Sequence, residues 1–240
     1  MLKALIFDVD GTLADTEMAH LAAFNHAFAE VGLDWHWDVP LYTQLLEVSG
    51  GKERIHAYWK SRGDMPKEVG HGGITQTIAH LHEIKTAAYE QAVQSGQVQM
   101  RPGVLPLMRS AIDAGLHLAI ATTTSPVNIT HLLKQCIGPD WTTYFSVIED
   151  ASTAPRKKPD PSVYLQTLQR LNLPASACIA IEDSSNGLRA AKAAGLATLI
   201  TPNAFTAHHN FEGALRILPN LQNTTLGELQ AWHAASNVHA

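Results

Sequence analysis

A doubly wound α/β fold with a parallel sheet and an inserted all-helical domain is what this sequence predicts. Three observations predict it. Several short apolar runs show little alternation, as strands do when both faces of a parallel sheet are covered. Helical stretches lie between most of them, which is the rhythm of strand-helix-strand units. From about residue 16 to residue 96 that rhythm stops, and only helical patterns appear.

The first apolar run, residues 4–9, ends in Asp8-Val9-Asp10-Gly11-Thr12. Further strands are expected at 116–122, 145–148, 177–181 and 196–200. Helices are expected at 104–114, which stops at Gly115, and at 126–136, where apolar residues recur at helical spacing. Residues 161–171 start with proline in the first turn, and 185–194 stop at Gly195. Inside the insertion, helices are expected at 18–31 before Gly32, at 40–48, at 52–62 and along 74–94. The segment GDMPKEVGHGG, residues 63–73, reads as a loop. Hinges are expected at 13–16 and 95–97. The expected domains are therefore a sheet core of residues 1–15 and 97–240, and a helical cap of residues 16–96.

Bulk properties narrow the function. The 240 residues are 45% hydrophobic and 16% charged, enough for a sizeable core, with a formal net charge of −5. No basic block offers a face to nucleic acid, and Arg156-Lys157-Lys158 is too short to serve as one. Two separated cysteines, Cys136 and Cys178, suit reduced thiols better than a disulfide framework. No apolar run approaches the roughly 20 residues that span a bilayer. The N-terminal strand meets Asp8 and Asp10 too soon for a signal peptide. A cytoplasmic monomer that touches neither membrane nor nucleic acid is expected.

The strand ends carry the chemistry. Ligands of open α/β sheets gather at the carboxyl ends of strands. There the sequence places Asp8 and Asp10, then Thr122-Thr123-Thr124-Ser125, then Glu182-Asp183-Ser184, with Lys157 and Lys158 in a loop before a helix. Two like charges at close range repel by about 1–4 kcal/mol. Four carboxylates in one crevice therefore call for a cation, and Mg²⁺ takes hard oxygen ligands together with phosphate. Each piece also has an ordinary reading: Asp8 as a turn residue, Asp183-Ser184 as a helix cap, the threonines as strand formers. In the helical insertion, SGGKERI (residues 49–55) offers backbone amides at Gly50 and Gly51, a helix start, and the cations Lys52 and Arg54, which suit an anion. Its alternative is a glycine turn before a charged helix. His80, His82, His208 and His209 lack zinc-like spacing. Trp35 and Trp37 read as packing residues.

The segments DVDGT, ATTTS, KKPDPSVY and IEDSSNG, in this order, resemble the four motifs of the haloacid dehalogenase superfamily, over nearly the whole chain. The helical insertion after the first motif resembles that superfamily's cap in its β-phosphoglucomutase-like branch. The resemblance implies that Asp8 is a nucleophile giving an aspartyl-phosphate, with Asp10 as general acid and then base. It implies that Asp8, the Asp10 carbonyl and Asp183 hold Mg²⁺, with Glu182 ligating or supporting it. Thr122 and Lys158 would grip phosphoryl oxygens. An acid at position 10 favours phosphate esters over dehalogenation. FDVDGTLADTE, GGKERI, HEIKT and ATTTSPVN are most similar to the CbbY branch of sugar-bisphosphate phosphatases, which implies hydrolysis of xylulose 1,5-bisphosphate to xylulose 5-phosphate. Matched positions imply substrate contacts at Glu17, Gly50, Gly51, Lys52, Glu53, Arg54, His82, Lys85, Thr122, Thr123, Thr124, Ser125 and Asn128. The alternatives are a β-phosphoglucomutase, a phosphoglycolate phosphatase, or an inactive binding module on the same fold.

Overall fold

The computed structural model describes residues 1–63, 73–154 and 156–236. The expected loop over 63–73 therefore falls almost wholly outside the described residues. Contacts divide the chain into two compact units, Met1–Asp15 with Gln99–Ala240, and Thr16–Val98.

In chain order the elements are β1 (Ala4–Phe7), α1 (Glu17–Glu30), α2 (Val39–Leu45), α3 (Gly51–Arg62), α4 (Gly73–Gln94), α5 (Val104–Asp113), β2 (His117–Ala121), α6 (Pro126–Cys136), β3 (Val147–Glu149), α7 (Ser162–Leu171), β4 (Cys178–Glu182), α8 (Ser185–Ala193), β5 (Ala197–Ile200), β6 (Arg216–Ile217) and α9 (Leu226–Ser236). The five expected strands and all the expected helices form.

The sheet unit is built on a parallel sheet in the order β3-β2-β1-β4-β5-β6. β1 lies between β2 and β4, with Phe7 level with Ile120 on one side and Ile181 on the other. Its residues Ala4, Leu5, Ile6 and Phe7 are wholly buried, which is why the run carries no polar alternation. The chain leaves β1 toward β2 and β3, then returns to place β4 on the opposite side. The order reverses between β1 and β4, and this is where doubly wound sheets open a crevice beyond their strand ends.

The first strand is shorter than its apolar run. After Phe7 the chain turns back on itself: Thr12 and Leu13 donate their N–H groups to the Val9 carbonyl, and Gly11 donates to Ala14. Two elements were not read from the sequence, β6 and α9. β6 has two residues, both exposed, and has no apolar signal. α9 has no marked apolar stripe, but it does carry a start signal. Thr225 Oγ1 accepts from the Glu228 N–H at 3.3 Å, and Glu228 Oε2 accepts from the Thr225 N–H at 2.8 Å. This reciprocal box closes the first turn.

The helical unit packs α1 along α4, with an aromatic cluster as its core. Phe24 lies 4.7 Å from Trp37, Phe28 lies 5.3 Å from Trp35, and Trp37 lies 5.4 Å from Tyr58, measured between ring centres. Both tryptophans are buried as packing residues. Asn25 pins the segment before α2, its side-chain amide donating to the Trp37 carbonyl and accepting from the Trp37 N–H, each at 2.8 Å. Asp38 then caps α2 by accepting from the Leu41 N–H. Among the described residues no helix is long and apolar enough to cross a membrane.

Candidate active site

The site grows from the ends of β1 and β4. Register sets Asp8, one residue past β1, level with Glu182 at the end of β4, and the Asp8 N–H donates to the Ile181 carbonyl at 3.0 Å. Asp183 follows Glu182. Asp8, Glu182 and Asp183 are all buried, and each brings a carboxylate oxygen to within 4.8 Å of the other two.

One lysine holds this group together. Lys158 Nζ donates to Asp8 Oδ1 at 2.8 Å, to Glu182 Oε1 at 2.5 Å and to the Ala121 carbonyl at 2.8 Å. These three acceptors match the three protons of an ammonium. Glu182 is bound further: Oε1 also accepts from the Tyr164 hydroxyl at 2.6 Å, while Oε2 accepts from the Asp183 N–H at 3.3 Å. The Cβ of any other residue at Gly187, in the first turn of α8, would overlap this carboxylate, so glycine there makes room for Glu182.

The electrostatics follow from burial. Burial pushes the Asp8 carboxyl up to about 7; the Lys158 charge opposes this, and Glu182 and Asp10 add to it. Burial alone would lower the Lys158 pKa, but the charges of Asp8 and Glu182 prevail and hold it above its ordinary value. Tyr164 is raised well above its ordinary range by burial and then by Glu182, so it stays a neutral donor. When all are ionised, three buried carboxylates face one ammonium and leave two negative charges in excess. That excess, on hard oxygen donors, fits a Mg²⁺ ion. The fit is steric too. Gly11 has a φ of +75°, and a Cβ there would lie 2.6 Å from Asp183 Oδ2. The bare backbone of the loop after β1 thus comes right up to the carboxylates.

Around this centre lie the other expected residues of the sheet unit. Asp10 is half-buried, and its Oδ2 accepts a short hydrogen bond from the Thr124 hydroxyl. Thr122 is buried, and its hydroxyl accepts from the Thr124 N–H at 3.3 Å. The Thr123 carbonyl accepts from Lys157 Nζ at 3.4 Å. Ser125 caps α6 by accepting from the Asn128 N–H. Asn128 is buried, and its Oδ1 has no partner among the described residues. Ser184 does cap α8, accepting from the Gly187 N–H at 3.1 Å, so the ordinary reading holds for Ser184 while its two neighbours join the carboxylate group.

The helical unit places its expected residues as follows. Glu17 opens α1 and accepts from the Tyr42 hydroxyl at 2.7 Å. Gly50 and Gly51 start α3, with the Glu53 carboxylate folded over Gly50 and the His82 ring against Gly51. Lys52 is exposed and makes no hydrogen bond or ion pair among the described residues. Arg54 is committed within its own unit. Nε donates to the Leu45 carbonyl at 3.1 Å and Nη2 to the Val48 carbonyl at 3.3 Å, and its carbon lies 5.3 Å from the Tyr42 ring centre. Lys85 is buried, with Nζ 2.9 Å from His20 Nδ1 and 5.1 Å from the ring centres of Phe24 and Tyr89.

Three residues of the sheet unit were missed by the sequence reading: Tyr164, Asn203 and Arg101. Tyr164 closes the KKPDPSVY segment. Asn203 stands three residues past β5, where extending the list of strand ends to β5 would have found it. Asn203 Nδ2 donates to Asp183 Oδ2 at 2.8 Å. Arg101 had no local signal; buried, it donates to the carbonyls of Gly11, Thr201 and Pro202.

Comparison with known proteins adds relatives. The model of the haloacid dehalogenase-like hydrolases matches residues 2–195. A Cupriavidus necator protein named CbbY is 51% identical, with all of both chains covered. The crystal structure of CbbY from Rhodobacter sphaeroides in complex with phosphate matches with a TM-score of 0.88 at 40% identity, over 96% of this chain and 100% of that one. An Asp-to-Asn mutant of CbbY from Rhodobacter sphaeroides, in complex with xylulose-(1,5)bisphosphate, matches with a TM-score of 0.88 at 40% identity, over 95% and 99%.

Proposed function

Because this chain belongs to the haloacid dehalogenase-like hydrolase family, we propose that it is a Mg²⁺-dependent sugar-phosphate phosphatase working through an aspartyl-phosphate. Xylulose 1,5-bisphosphate, cleaved to xylulose 5-phosphate, is the substrate we propose. The observation that carries the reading is the buried Asp8 at the end of β1, its Oδ1 held 2.8 Å from Lys158 Nζ, beside Glu182 and Asp183. The bisphosphate is supported by the relative whose structure holds it.

Asp8 Oδ2 attacks phosphorus while Lys158 keeps Oδ1 in place, and the bond from phosphorus to the ester oxygen breaks. Asp10 gives its proton to that leaving oxygen. Asp10 then takes a proton from water as the water oxygen attacks phosphorus. The bond to Asp8 breaks, freeing phosphate, restoring the Asp8 carboxylate and leaving Asp10 protonated as it began. Thr124, bonded to Asp10, aims that carboxyl, the Thr122 hydroxyl receives a phosphoryl oxygen, and the Lys158 charge beside Asp8 offsets the charge of the phosphoryl group. Asp8, the Asp10 carbonyl and Asp183 would hold the Mg²⁺, while Glu182, bound by Lys158 and Tyr164, braces the lysine. The ion, when bound, offsets the phosphoryl group's negative charge.

The helical unit selects the substrate in this reading. Lys52, exposed in the first turn of α3, takes the second phosphate, and Glu17, Gly50, Gly51, Glu53, His82 and Lys85 complete the set. Arg54 holds the turn between α2 and α3. The test is phosphate release from a panel of sugar mono- and bisphosphates, with Mg²⁺ and after EDTA. Preferred cleavage of xylulose 1,5-bisphosphate, lost with EDTA and restored by Mg²⁺, is expected. Full activity in metal-free buffer would overturn the metal, and isomerisation of β-glucose 1-phosphate without phosphate release would overturn the hydrolase.

A further inference from the structure

We propose that Asn203 is a positioning residue that holds Asp183 in the orientation needed to bind the divalent cation, and that Arg101 fixes the segment carrying Asn203. The inference rests on the metal reading above and names residues that the reading does not contain.

Asp183 has one rotatable bond to its carboxylate plane beyond χ1, so something must choose its orientation. Asn203 does so with a single amide proton, donated to Oδ2 at 2.8 Å. The pair is wedged against the loop after β1. A Cβ at Gly11 would lie 2.6 Å from Asn203 Nδ2 and 2.6 Å from Asp183 Oδ2. Neither side chain can therefore swing toward that loop without striking backbone.

Asn203 is itself held from both sides. Its Oδ1 accepts from the Phe205 N–H at 2.8 Å, and its own N–H donates to the Thr206 hydroxyl at 3.0 Å. This side-chain turn leaves Nδ2 as the group aimed at Asp183. Upstream, Arg101 grips the backbone leading into the turn. Its Nη1 donates to the Thr201 carbonyl at 2.5 Å and hydroxyl at 2.9 Å, and Nη2 donates to the Pro202 carbonyl at 2.9 Å. The same Nη1 donates to the Gly11 carbonyl at 2.6 Å. One buried guanidinium thus ties the loop after β5, which supplies Asn203, to the loop after β1, which follows Asp8 and Asp10.

Groups that hydrogen-bond to metal ligands fix their orientation, and removing them weakens metal binding by about 10- to 100-fold. The test measures Mg²⁺ binding by calorimetry on the substrate-free protein, alongside thermal unfolding. Asn203→Ser keeps a side-chain oxygen for the Phe205 N–H but is too short to reach Asp183. It is expected to weaken Mg²⁺ binding at least tenfold, or beyond the measurable range, with little change in the metal-free melting temperature. Asn203→Ala should weaken binding as much and also lower the melting temperature, since it loses the turn. Binding within about twofold of wild type in Asn203→Ser would overturn the inference and leave the metal reading standing. A wild-type protein that bound no Mg²⁺ would overturn both.

Discussion

The buried lysines of the two units keep different company. In the sheet unit Lys158 sits between two carboxylates, with Tyr164 bonded to one of them. In the helical unit Lys85 meets a histidine and two aromatic faces, and Arg54 meets backbone carbonyls and the rings of Phe24 and Tyr42. Charge set against charge suits a centre that must stabilise a reacting phosphoryl group at one fixed point. Cations on ring faces and carbonyls retain more of their field, because those partners carry partial charges only. The difference teaches a division of labour. In the proposed reading the sheet unit would hold chemistry that tolerates little change, and the helical unit recognition that can be retuned.

Removing the buried lysine from each unit tests this most severely. Lys158→Met strands Asp8 and Glu182 without their counter-charge. It should lower stability by about 3–5 kcal/mol and abolish turnover of every phosphate ester. Lys85→Met keeps an unbranched chain against the same rings. It should fold, and its ratio of sugar-phosphate to p-nitrophenyl phosphate efficiency should fall at least tenfold. Equal losses on both substrates from Lys85→Met would break the division.

The pH response sharpens the same contrast in the sheet unit. The Asp8 carboxyl, raised to about 7 when folded, keeps its proton above the pH at which the unfolded chain releases it. The native state then binds more protons, so metal-free stability falls as pH rises from about 4 to about 7. Asp8→Asn removes this dependence. Relative to wild type it should gain roughly 2 kcal/mol between pH 5 and pH 7, read from urea unfolding in EDTA. It should also show no turnover. A difference that did not change with pH would mean the folded Asp8 titrates like an exposed carboxylate.

The smallest effect concerns Arg54. Its bonds to the Leu45 and Val48 carbonyls give Arg54→Ala an expected cost of about 2 kcal/mol, seen as a lower melting temperature. Loss of bisphosphate turnover with no change in melting would move Arg54 from the scaffold to the substrate.

Much of the site was legible because it lies at strand ends. Asp8, Glu182 and Asp183 follow apolar runs whose burial on both faces is written in their lack of alternation. Thr122 follows in the same way from β2. The α9 start was also written, as Thr225 and Glu228, although its helix lacks the apolar stripe that draws notice. The helical unit was legible as helices, since Gly32 and Pro40 mark ends and starts. The roles of Lys52 and Arg54 were not distinguishable there. They lie two residues apart in one helical turn, and only packing shows that Arg54 turns inward to α2 while Lys52 stays exposed.

By itself the sequence determined the fold class, the helical insertion and the ends of strands on which carboxylates fall. These depend on periods of two and of three to four residues and on local stop signals, which are properties of neighbours in the chain. Tertiary structure alone decided the partners. Lys158 reaches Asp8 across 150 positions of sequence, Arg101 reaches Gly11 across 90, and Asn203 reaches Asp183 across 20. No local pattern encodes such pairs. The register of β1 against β4 sets Asp8 level with Glu182, and the reversal of strand order between β1 and β4 opens the space where a lysine, an amide and a guanidinium from distant segments find the charges they satisfy.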